Sequence, residues 1–290
     1  MSKEQYPIIP CSLSEETSKL VSDYARQLAK VAPSLMKNRT EEQFWRSGIF
    51  HSAVERIRGQ RSASMKEKRD FMANVLDFMK QRKAIADWEY KGTAERFDYV
   101  IEAADGKTIV VETKGCLDGN NTNIFQRPPN ADEFYIWSLC QNSASDPRKN
   151  AWSGIHTRLS AEIVAKKELI NGVIIWDMLC GTIGRPCPKL VANKKRATTV
   201  GKLLVPPPCI YVLPKTLPDP RNNPSPDPWQ PERLSFVRAL FDALPCEKND
   251  VVQVRISTRM DGADIQRQTT YYRMGSEIAA SNWTKIKRTR

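Results

Sequence analysis

Residues 96–115, RFDYVIEAADGKTIVVETKG, constrain the fold most, because apolar and polar residues alternate on both sides of a single turn signal. Alternation with a period of two is typical of β-strands that bury one face, and Asp105-Gly106 between two such runs is a strong hairpin signal. The sequence therefore predicts two antiparallel strands joined by a tight turn. The apolar face that they share is expected to consist of Phe97, Tyr99, Ile101, Ile109 and Val111.

The turn allows two strand registers, which differ in the position of Asp98. A two-residue loop turns Asp98 away from Glu112, because successive strand residues point to opposite faces. A three-residue loop over residues 104–106, closed by a glycine in the left-handed region, pairs Ala103 with Lys107 and sets Asp98 directly opposite Glu112. Only the three-residue loop gathers the apolar side chains on one face, so the pattern favours it.

Three charged side chains, Asp98, Glu112 and Lys114, cluster at one end of the polar face in that register. Two carboxylates about 5 Å apart repel each other by roughly 3 kcal/mol at an effective dielectric constant of about 20. A divalent cation would offset more of this repulsion than Lys114 does, and Mg²⁺ accepts carboxylates, waters and phosphate oxygens as ligands. With Lys114 orienting or deprotonating a water, or holding the phosphate, the groups suit metal-assisted phosphodiester hydrolysis. The alternative is a solvated ion-pair cluster at the end of a sheet.

A second Glu-x-Lys triplet, Glu89-Tyr90-Lys91, is also present, but its context argues against a site there. The acidic residues upstream of it, Asp70 and Asp77, fall in a helical pattern, and no pair of apolar strands precedes the triplet. The triplet of the predicted hairpin is therefore the better candidate.

The composition of the chain limits the kinds of partner that the protein is expected to bind. The 290 residues carry a net charge of +12, which attracts polyanions such as DNA, RNA or an anionic membrane. We expect no membrane partner and a cytoplasmic location, because the chain lacks a run of about 18 apolar residues and its N-terminus lacks the apolar core of a signal peptide. Seven cysteines without a C-x-x-C pair, together with only two histidines, argue against zinc and for reduced thiols.

Helical patterns dominate the N-terminal part, residues 1–85, which we expect to pack on the core. A capping box opens a helix over residues 12–31, and a second helix is predicted over residues 40–58. A third helix is predicted over residues 65–83. The side chains expected on its buried face are Met72, Val75, Leu76 and Met79.

Residues 86–215 are predicted to form the core of an α/β fold with a mixed β-sheet. Three consecutive strands are followed by a polar loop, a helix over residues 151–170, and two strands within residues 171–179 and 209–214. Beyond this core, the proline-rich residues 216–231 are expected to be a stiff linker. Residues 232–290 are predicted to form a C-terminal helix and a hairpin that serve DNA binding or dimerisation.

The chemistry-bearing residues carry a family resemblance. Asp98, thirteen intervening residues and then Glu112-Thr113-Lys114 at the end of an apolar strand resemble the PD-(D/E)XK nuclease motif. The order of helices and strands is similar to the α-β-β-β-α-β core of that superfamily, over about residues 40–215. One departure is that Phe97 stands where the motif has a proline.

The resemblance implies a role for each matching residue in residues 86–215, which would then be the nuclease core. Asp98 and Glu112 would be ligands of Mg²⁺, and Lys114 would be the catalytic lysine. Glu55, in the helix before the sheet, occupies the place of a further acidic residue of the site.

Within this superfamily, the size and charge of the chain are most similar to those of type II restriction endonucleases. That resemblance implies a Mg²⁺-dependent homodimer that cleaves double-stranded DNA at a specific sequence. Three alternatives stay open at this point: a repair or recombination nuclease of the same fold, an RNA nuclease, and a non-catalytic DNA-binding protein.

Basic and amide residues around the core are candidate DNA contacts. The segment between Met178 and Pro218 lacks Asp and Glu and carries seven basic residues, which suits phosphate binding but also suits a merely soluble loop. Four of them, Arg185, Lys194, Lys195 and Arg196, are predicted to bind DNA. A polar loop after the hairpin has side chains that can read base edges, or that simply favour a turn. Its candidates are Asn121, Asn123, Gln126 and Arg127. Arg255, Arg259, Arg267 and Arg273 of the C-terminal hairpin are expected either to grip DNA or to line a dimer interface.

Overall fold

Two helices and one large mixed sheet account for most of the chain that is described. The structure, a computed structural model, describes residues 65–92, 97–114, 130–139, 173–178, 181–182, 185–186, 196–205, 207–216 and 218–286, with a few single positions among the first forty. Helix α1 spans Met65–Gln81 and helix α2 spans Ser235–Ala243. The fold is of the α/β class, as predicted. Neither described helix has the length and the apolar run that crossing a membrane requires.

Fourteen strands are described, ten of them in one sheet and the others in two short two-stranded sheets. In chain order they are β1 (Ile85–Tyr90), β2 (Tyr99–Ala103), β3 (Thr108–Lys114), β4 (Glu133–Leu139), β5 (Val173–Met178), β6 (Gly181–Thr182), β7 (Arg185–Pro186), β8 (Thr198–Val200), β9 (Leu203–Val205), β10 (Cys209–Val212), β11 (Val251–Asp261), β12 (Asp264–Arg273), β13 (Ser276–Ala280) and β14 (Thr284–Lys285).

The large sheet has the order β1-β2-β3-β4-β5-β10-β11-β12-β13, and β14 pairs with β12. Strands β1, β2 and β3 form an antiparallel meander, and β3, β4 and β5 run parallel to one another. Strand β10 is antiparallel to β5 and parallel to β11. The C-terminal ends of β3, β4 and β5 therefore meet at one end of the sheet, whereas β11 runs towards the opposite end.

Helix α1 confirms the predicted third helix. Its apolar residues recur at helical spacing and face the sheet, since Met72, Val75, Leu76 and Met79 are all fully buried. The helix ends at Gln81 rather than at the predicted Lys83, which adopts the left-handed conformation with φ 59°. The amide of the next residue, Ala84, donates to the carbonyl of Met79, and this pattern closes the last helical turn.

The β2–β3 hairpin has the predicted three-residue loop. Ala103 N donates to Lys107 O at 2.9 Å, Gly106 N donates to Ala103 O at 3.0 Å, and Gly106 takes φ 79°. The strands pair Tyr99 with Val111 and Ile101 with Ile109, which is the register that the apolar pattern favoured. Phe97 is an exception to the predicted face: it packs on the opposite side of the sheet, because it lies before β2 where the alternation has not begun.

Each face of the sheet carries its own apolar cluster. The face that packs against α1 and α2 buries Tyr99, Ile101, Val111 and Trp137, with Phe236 of α2 in edge-to-face contact with Tyr135 at 4.9 Å between ring centroids. The opposite face buries Val110, Phe134, Ile136, Tyr211, Val252 and Val254. Both faces of the central strands are thus covered, as is usual for parallel strands.

The N-terminus of α2 is anchored by the buried carboxylate of Glu133, at the start of β4. Its Oε1 accepts from Ser235 N at 2.6 Å, and its Oε2 accepts from Phe236 N at 3.1 Å and from the Tyr135 hydroxyl at 2.6 Å. The pKa of Tyr135 is raised well above its usual range, mainly because the phenol is buried and secondly because of the charge of Glu133. The carboxylate satisfies two amides that the first helical turn leaves without partners.

Strand β4 was not predicted, because residues 133–139 fall within the segment that the sequence indicated as a polar loop. Its buried residues, Glu133 to Trp137, show none of the alternation that marks a half-exposed strand. Strand β4 lies between β3 and β5 and is parallel to both, so it is buried on both faces. The short strands β6 to β9 were also not predicted.

The proline-rich residues 216–231 turn back on themselves. Trp229 N donates to Leu213 O and Lys215 N donates to Asp227 O, both at 3.1 Å, so the segment leaves and rejoins the fold at the same place. Strands β11 to β14 then continue the sheet that contains β1 to β5. The predicted C-terminal helix and hairpin are present as α2 and as β11 with β12.

The predicted helices over residues 40–58 and 151–170, and most of the one over residues 12–31, lie outside the described residues. Among the single described positions, Asp23, Arg26, Gln27, Lys30 and Val31 have helical conformation.

Candidate functional site

Asp98 stands at the start of β2, and its backbone is held from both neighbouring strands. Asp98 N donates to Val111 O of β3 at 3.1 Å, and Lys91 N, just after β1, donates to Asp98 O at 2.9 Å. Val111 is already the partner of Tyr99, so the β2–β3 ladder ends one pair short of the predicted pairing of Asp98 with Glu112. Asp98 is therefore an extra residue beside the end of the ladder, fixed by main-chain hydrogen bonds.

The carboxylate of Asp98 is oriented by Thr113, the middle residue of the Glu-Thr-Lys triplet. Its Oδ2 accepts from Thr113 N at 2.8 Å and from Thr113 Oγ1 through a short hydrogen bond. Within the part of the chain that the structure describes, Oδ1 has no hydrogen-bond partner. Thr113 thus fixes the orientation of the Asp98 carboxylate through one of its two oxygens.

Glu112 and Lys114 follow on β3, the strand next to Asp98. Glu112 is half-buried and its register partner on β4 is Ile136. Lys114 is the last residue of β3 and pairs with Ser138, but its side chain lies outside the described part. The three predicted catalytic positions therefore lie at the end of the sheet where the parallel strands terminate, but not on one face as predicted. Alternation puts Glu112 on the face of Val110, whereas the Asp98 carboxylate bonds to Thr113, which shares the face of Val111. The fourth, Glu55, lies outside the described residues.

The second Glu-x-Lys triplet lies at the same end of the sheet, on the other side of Asp98. Glu89 pairs with Val100 of β2, and the Lys91 amide bonds to the Asp98 carbonyl. Because β1 and β3 are both antiparallel to β2, the two triplets run in the same direction and flank Asp98. The Lys91 ammonium forms an ion pair with Glu89. Asp98 follows this triplet in the chain, whereas Asp70 and Asp77, the acidic residues weighed for the triplet in the sequence, precede it.

Aromatic side chains support the strands behind the site. The Tyr99 ring lies 5.2 Å from the ring of Tyr90 and 6.0 Å from that of Trp88, and the Trp88 indole donates to Asp77 of α1 at 3.0 Å. Burial, followed by the negative charge of Asp98, raises the pKa of the Tyr99 phenol. Tyr99 is therefore a packing residue and stays protonated at neutral pH.

The carboxylates of Asp98 and Glu112 are of the donor type that a hard divalent cation prefers. Among the described residues there is no group of three or more His, Cys, Asp or Glu side chains arranged to hold a metal. Mg²⁺ does not require one, because it is commonly held by one or two carboxylates and completes its octahedron with waters and phosphate oxygens. With Oδ2 fixed by Thr113, and with no partner for Oδ1 among the residues that the structure describes, Asp98 is oriented as such a ligand would be.

Few of the predicted DNA-binding side chains fall in the described part of the chain. Asn121, Asn123, Gln126, Arg127, Lys194 and Lys195 lie outside it, and of Arg185 only the backbone, in β7, is described.

Arg196 is described, and it is held within the chain. Its Nη2 pairs with the buried carboxylate of Asp250 at 2.5 Å, and its Nε lies 3.3 Å from Glu247 Oε1. Arg196 thereby ties the segment before β8 to the turn before β11, which indicates a structural role.

The arginines of the C-terminal hairpin differ in exposure. Arg267 is buried, and burial lowers the pKa of its guanidinium. Arg255 stacks on Tyr272 at 5.3 Å and lies 3.5 Å from Asp227. Arg273 is half-buried, whereas Arg259 is exposed near the hairpin tip.

Two residues of the site region were not predicted, namely Thr113 as the group that orients Asp98 and Lys91 as a neighbouring cation. Thr113 is visible in the sequence only as the variable position of the triplet. Its role depends on the bonded position of Asp98, which strand alternation does not predict.

Comparison of the chain with protein-family models, with curated protein sequences and with solved structures finds no match.

Proposed function

We propose that the protein is a Mg²⁺-dependent endonuclease that hydrolyses double-stranded DNA, as a type II restriction enzyme does. One observation carries the proposal: the Asp98 carboxylate, oriented by Thr113, lies immediately before β2, beside the strand that bears Glu112 and Lys114. Hydrogen bonds that orient a carboxylate are typical of the surroundings of a metal ligand.

The order of elements supports the same reading. Helix α1, the antiparallel meander β1-β2-β3 and the strand β4 parallel to β3 follow one another in the described part of the chain. This agrees with the first helix, the three strands and a later parallel strand of the α-β-β-β-α-β core. The candidate residues occupy the ends of its second and third strands.

The proposed roles follow from the chemistry of each group. Asp98 and Glu112 would hold Mg²⁺, which supplies electrostatic stabilisation of the charge that develops on the phosphate. Lys114 would orient the attacking water or accept its proton, and Glu55 would add a carboxylate from the N-terminal part. A new bond forms between the water oxygen and phosphorus while the bond from phosphorus to the leaving sugar oxygen breaks.

The charge of the chain favours a polyanionic substrate. A net charge of +12 attracts DNA over distances near the Debye length and makes its binding salt-dependent.

Digestion of plasmid DNA tests the proposal. Wild type should cut supercoiled plasmid with Mg²⁺ and leave it intact with a chelator, whereas Asp98→Asn should be inactive under both conditions. Asp87→Asn is a matched control, because Asp87 is an exposed carboxylate on β1 that pairs with Lys80. Its activity should equal that of wild type.

The products distinguish the remaining classes. Fragments of fixed sequence support a restriction enzyme, and cutting only at ends, nicks or junctions supports a repair or recombination nuclease. Preference for RNA in competition supports an RNA nuclease. Salt-dependent DNA binding that does not depend on Mg²⁺ and is not followed by cleavage would identify a non-catalytic DNA-binding protein. This result would overturn the proposal.

A further inference from the structure

The β11–β12 hairpin is longer than the strands that flank it. Strand β11 has 11 residues, but β10 pairs only with its first three, Val251 to Gln253. On the other edge, β13 pairs with the last residues of β12, and β14 pairs only with Gln266 and Arg267. The last two pairs of the hairpin, Met260 with Ile265 and Asp261 with Asp264, extend beyond the residues that pair with β14 and form, with their exposed turn, the tip of the β11–β12 ribbon. Arg259 lies at the base of this tip, opposite Gln266.

Arg259 on this ribbon is held in a defined orientation. Its guanidinium carbon lies 4.3 Å from the centroid of the Trp283 ring, and its Nε donates to Gln266 Oε1 at 2.9 Å. The other end of the Gln266 amide donates to Asp261. Among the residues that the structure describes, Nη1 and Nη2 of Arg259 have no hydrogen-bond partner. The stack and the Nε bond therefore fix the side chain, and the residue is exposed.

This arrangement suits the reading of a base edge. The major groove of B-DNA admits a two-stranded β-ribbon, and an arginine fork donating to O6 and N7 of guanine is the commonest specific contact there. An aromatic ring beneath the guanidinium reduces the conformational freedom that binding would otherwise remove.

We propose that the tip of the β11–β12 ribbon enters the major groove of double-stranded DNA and that Arg259 reads a guanine. The choice of DNA as partner rests on the proposed function. The charge of the region favours it, since residues 251–290 contain eight basic and three acidic residues. A dimer interface fits less well, because Arg259 and the tip residues Asp261 and Asp264 are charged and the core of a subunit interface is depleted in charge.

The ribbon lies far from the candidate catalytic end of the sheet. The strand registers place Val251 in the same row as Thr113, four strands away, and Arg259 is eight residues further along β11. Strand geometry makes this separation about 30 Å, which is close to one turn of B-DNA. The base read by Arg259 is therefore expected about one helical turn from the bond that is cut.

Selection from short DNA duplexes with a randomised centre, in chelator to prevent cleavage, tests the ribbon. Wild type should retain duplexes that share at least one fixed G·C pair, and Arg259→Ala should lose that preference and bind the selected duplex about 10- to 100-fold more weakly. Arg259→Lys should lose the preference while keeping the salt dependence, because it keeps the charge but not the fork. Arg82→Ala is the matched control: Arg82 is also exposed and stacks on Phe78 at 5.2 Å, but it lies at the end of α1.

A modified base makes the assignment specific. Replacing the selected guanine by 7-deazaguanine removes the N7 acceptor, so it should weaken binding by wild type and leave binding by Arg259→Ala unchanged. Equal effects on both proteins, unchanged selection by Arg259→Ala, or no duplex binding by wild type would overturn the proposal. So would loss of dimer in sedimentation by Arg259→Ala with unchanged DNA selection, which would mark the ribbon as a dimer contact.

The outcomes separate this inference from the proposed function. DNA binding that depends on Arg259, without cleavage in Mg²⁺, would contradict the proposed nuclease activity and support the proposed role of Arg259. Cleavage at a fixed sequence by Arg259→Ala, at the rate of wild type, would support the proposed nuclease activity and contradict the proposed role of Arg259.

Discussion

Replacing Thr113 by valine removes a single hydroxyl from the candidate site. Thr113 donates to Asp98 Oδ2 through both its backbone amide and its Oγ1, and only the second bond is lost. Valine has the same shape and an equally good fit to a strand, so β3 should keep its register. A hydrogen bond to a charged group contributes about 1.5–3 kcal/mol. We therefore expect DNA cleavage by Thr113→Val to fall by about 10- to 100-fold, which is typical of the loss of a group that orients a metal ligand.

The assay for this prediction is the initial rate of supercoiled plasmid cleavage as a function of Mg²⁺ concentration. Thr113→Val should require more Mg²⁺ than wild type for half-maximal rate, because an Asp98 carboxylate free to rotate binds the ion less well. Thr113→Ser keeps the hydroxyl and should restore nearly the wild-type Mg²⁺ dependence. Urea unfolding provides the control for folding.

The reasoning is refuted if Thr113→Val and wild type show the same rate at every Mg²⁺ concentration. It is also refuted if Thr113→Ser is as impaired as Thr113→Val, since the hydroxyl would then not be the group that matters.

Three further predictions concern stability. Glu133→Gln replaces the acceptor of two α2 amides by a group with only one acceptor oxygen, so the free energy of unfolding in urea should fall by about 2–4 kcal/mol; a loss below about 0.5 kcal/mol would contradict the anchoring role. Arg196→Ala removes one ion pair of the buried Asp250 carboxylate and should cost about 1–3 kcal/mol, and a neutral effect would show that solvent replaces the guanidinium. The hydroxyl of Ser235, as the largest cause, holds the pKa of Asp105 below its ordinary value. A depressed folded-state pKa stabilises the protein above the unfolded pKa of about 3.9 and stops doing so as pH falls through the folded value. Asp105→Asn should therefore lower stability at pH 7 by less than about 1 kcal/mol, because Asp105 is partly exposed, and the difference should vanish in acid; a difference that persists there would point to a cause other than charge.

The hairpin shows how far local sequence pattern determines local structure. Alternation from Tyr99 to Val111 and a glycine able to take positive φ were enough to predict the register of β2 with β3 and the loop of residues 104–106. Both signals are local, and tertiary packing reinforces them. The buried face of α1 was predictable for the same reason, since helical spacing of apolar residues places them against the sheet.

Other features depend on contacts between distant residues, which periodicity does not record. Strand β4 is buried on both faces and so lacks alternation, and the sheet position of β11 depends on a proline-rich segment that folds back. The displacement of Asp98 from the ladder depends on the hydrogen bonds of its carboxylate to Thr113 and of its carbonyl to Lys91. The sequence therefore located the candidate residues but not the bonds that orient them.

Mapping the metal position directly is the sharpest test of the claim that Asp98 and Glu112 hold a divalent ion. Fe²⁺ in place of Mg²⁺, with ascorbate and peroxide, generates radicals that cut the polypeptide near the bound ion, and mass spectrometry locates the cuts. Cuts are expected around Asp98, just before β2, and around Glu112 in β3, and they should be suppressed by excess Mg²⁺ and absent in Asp98→Ala. Cuts confined to other segments, or an unchanged pattern in Asp98→Ala, would contradict the claim.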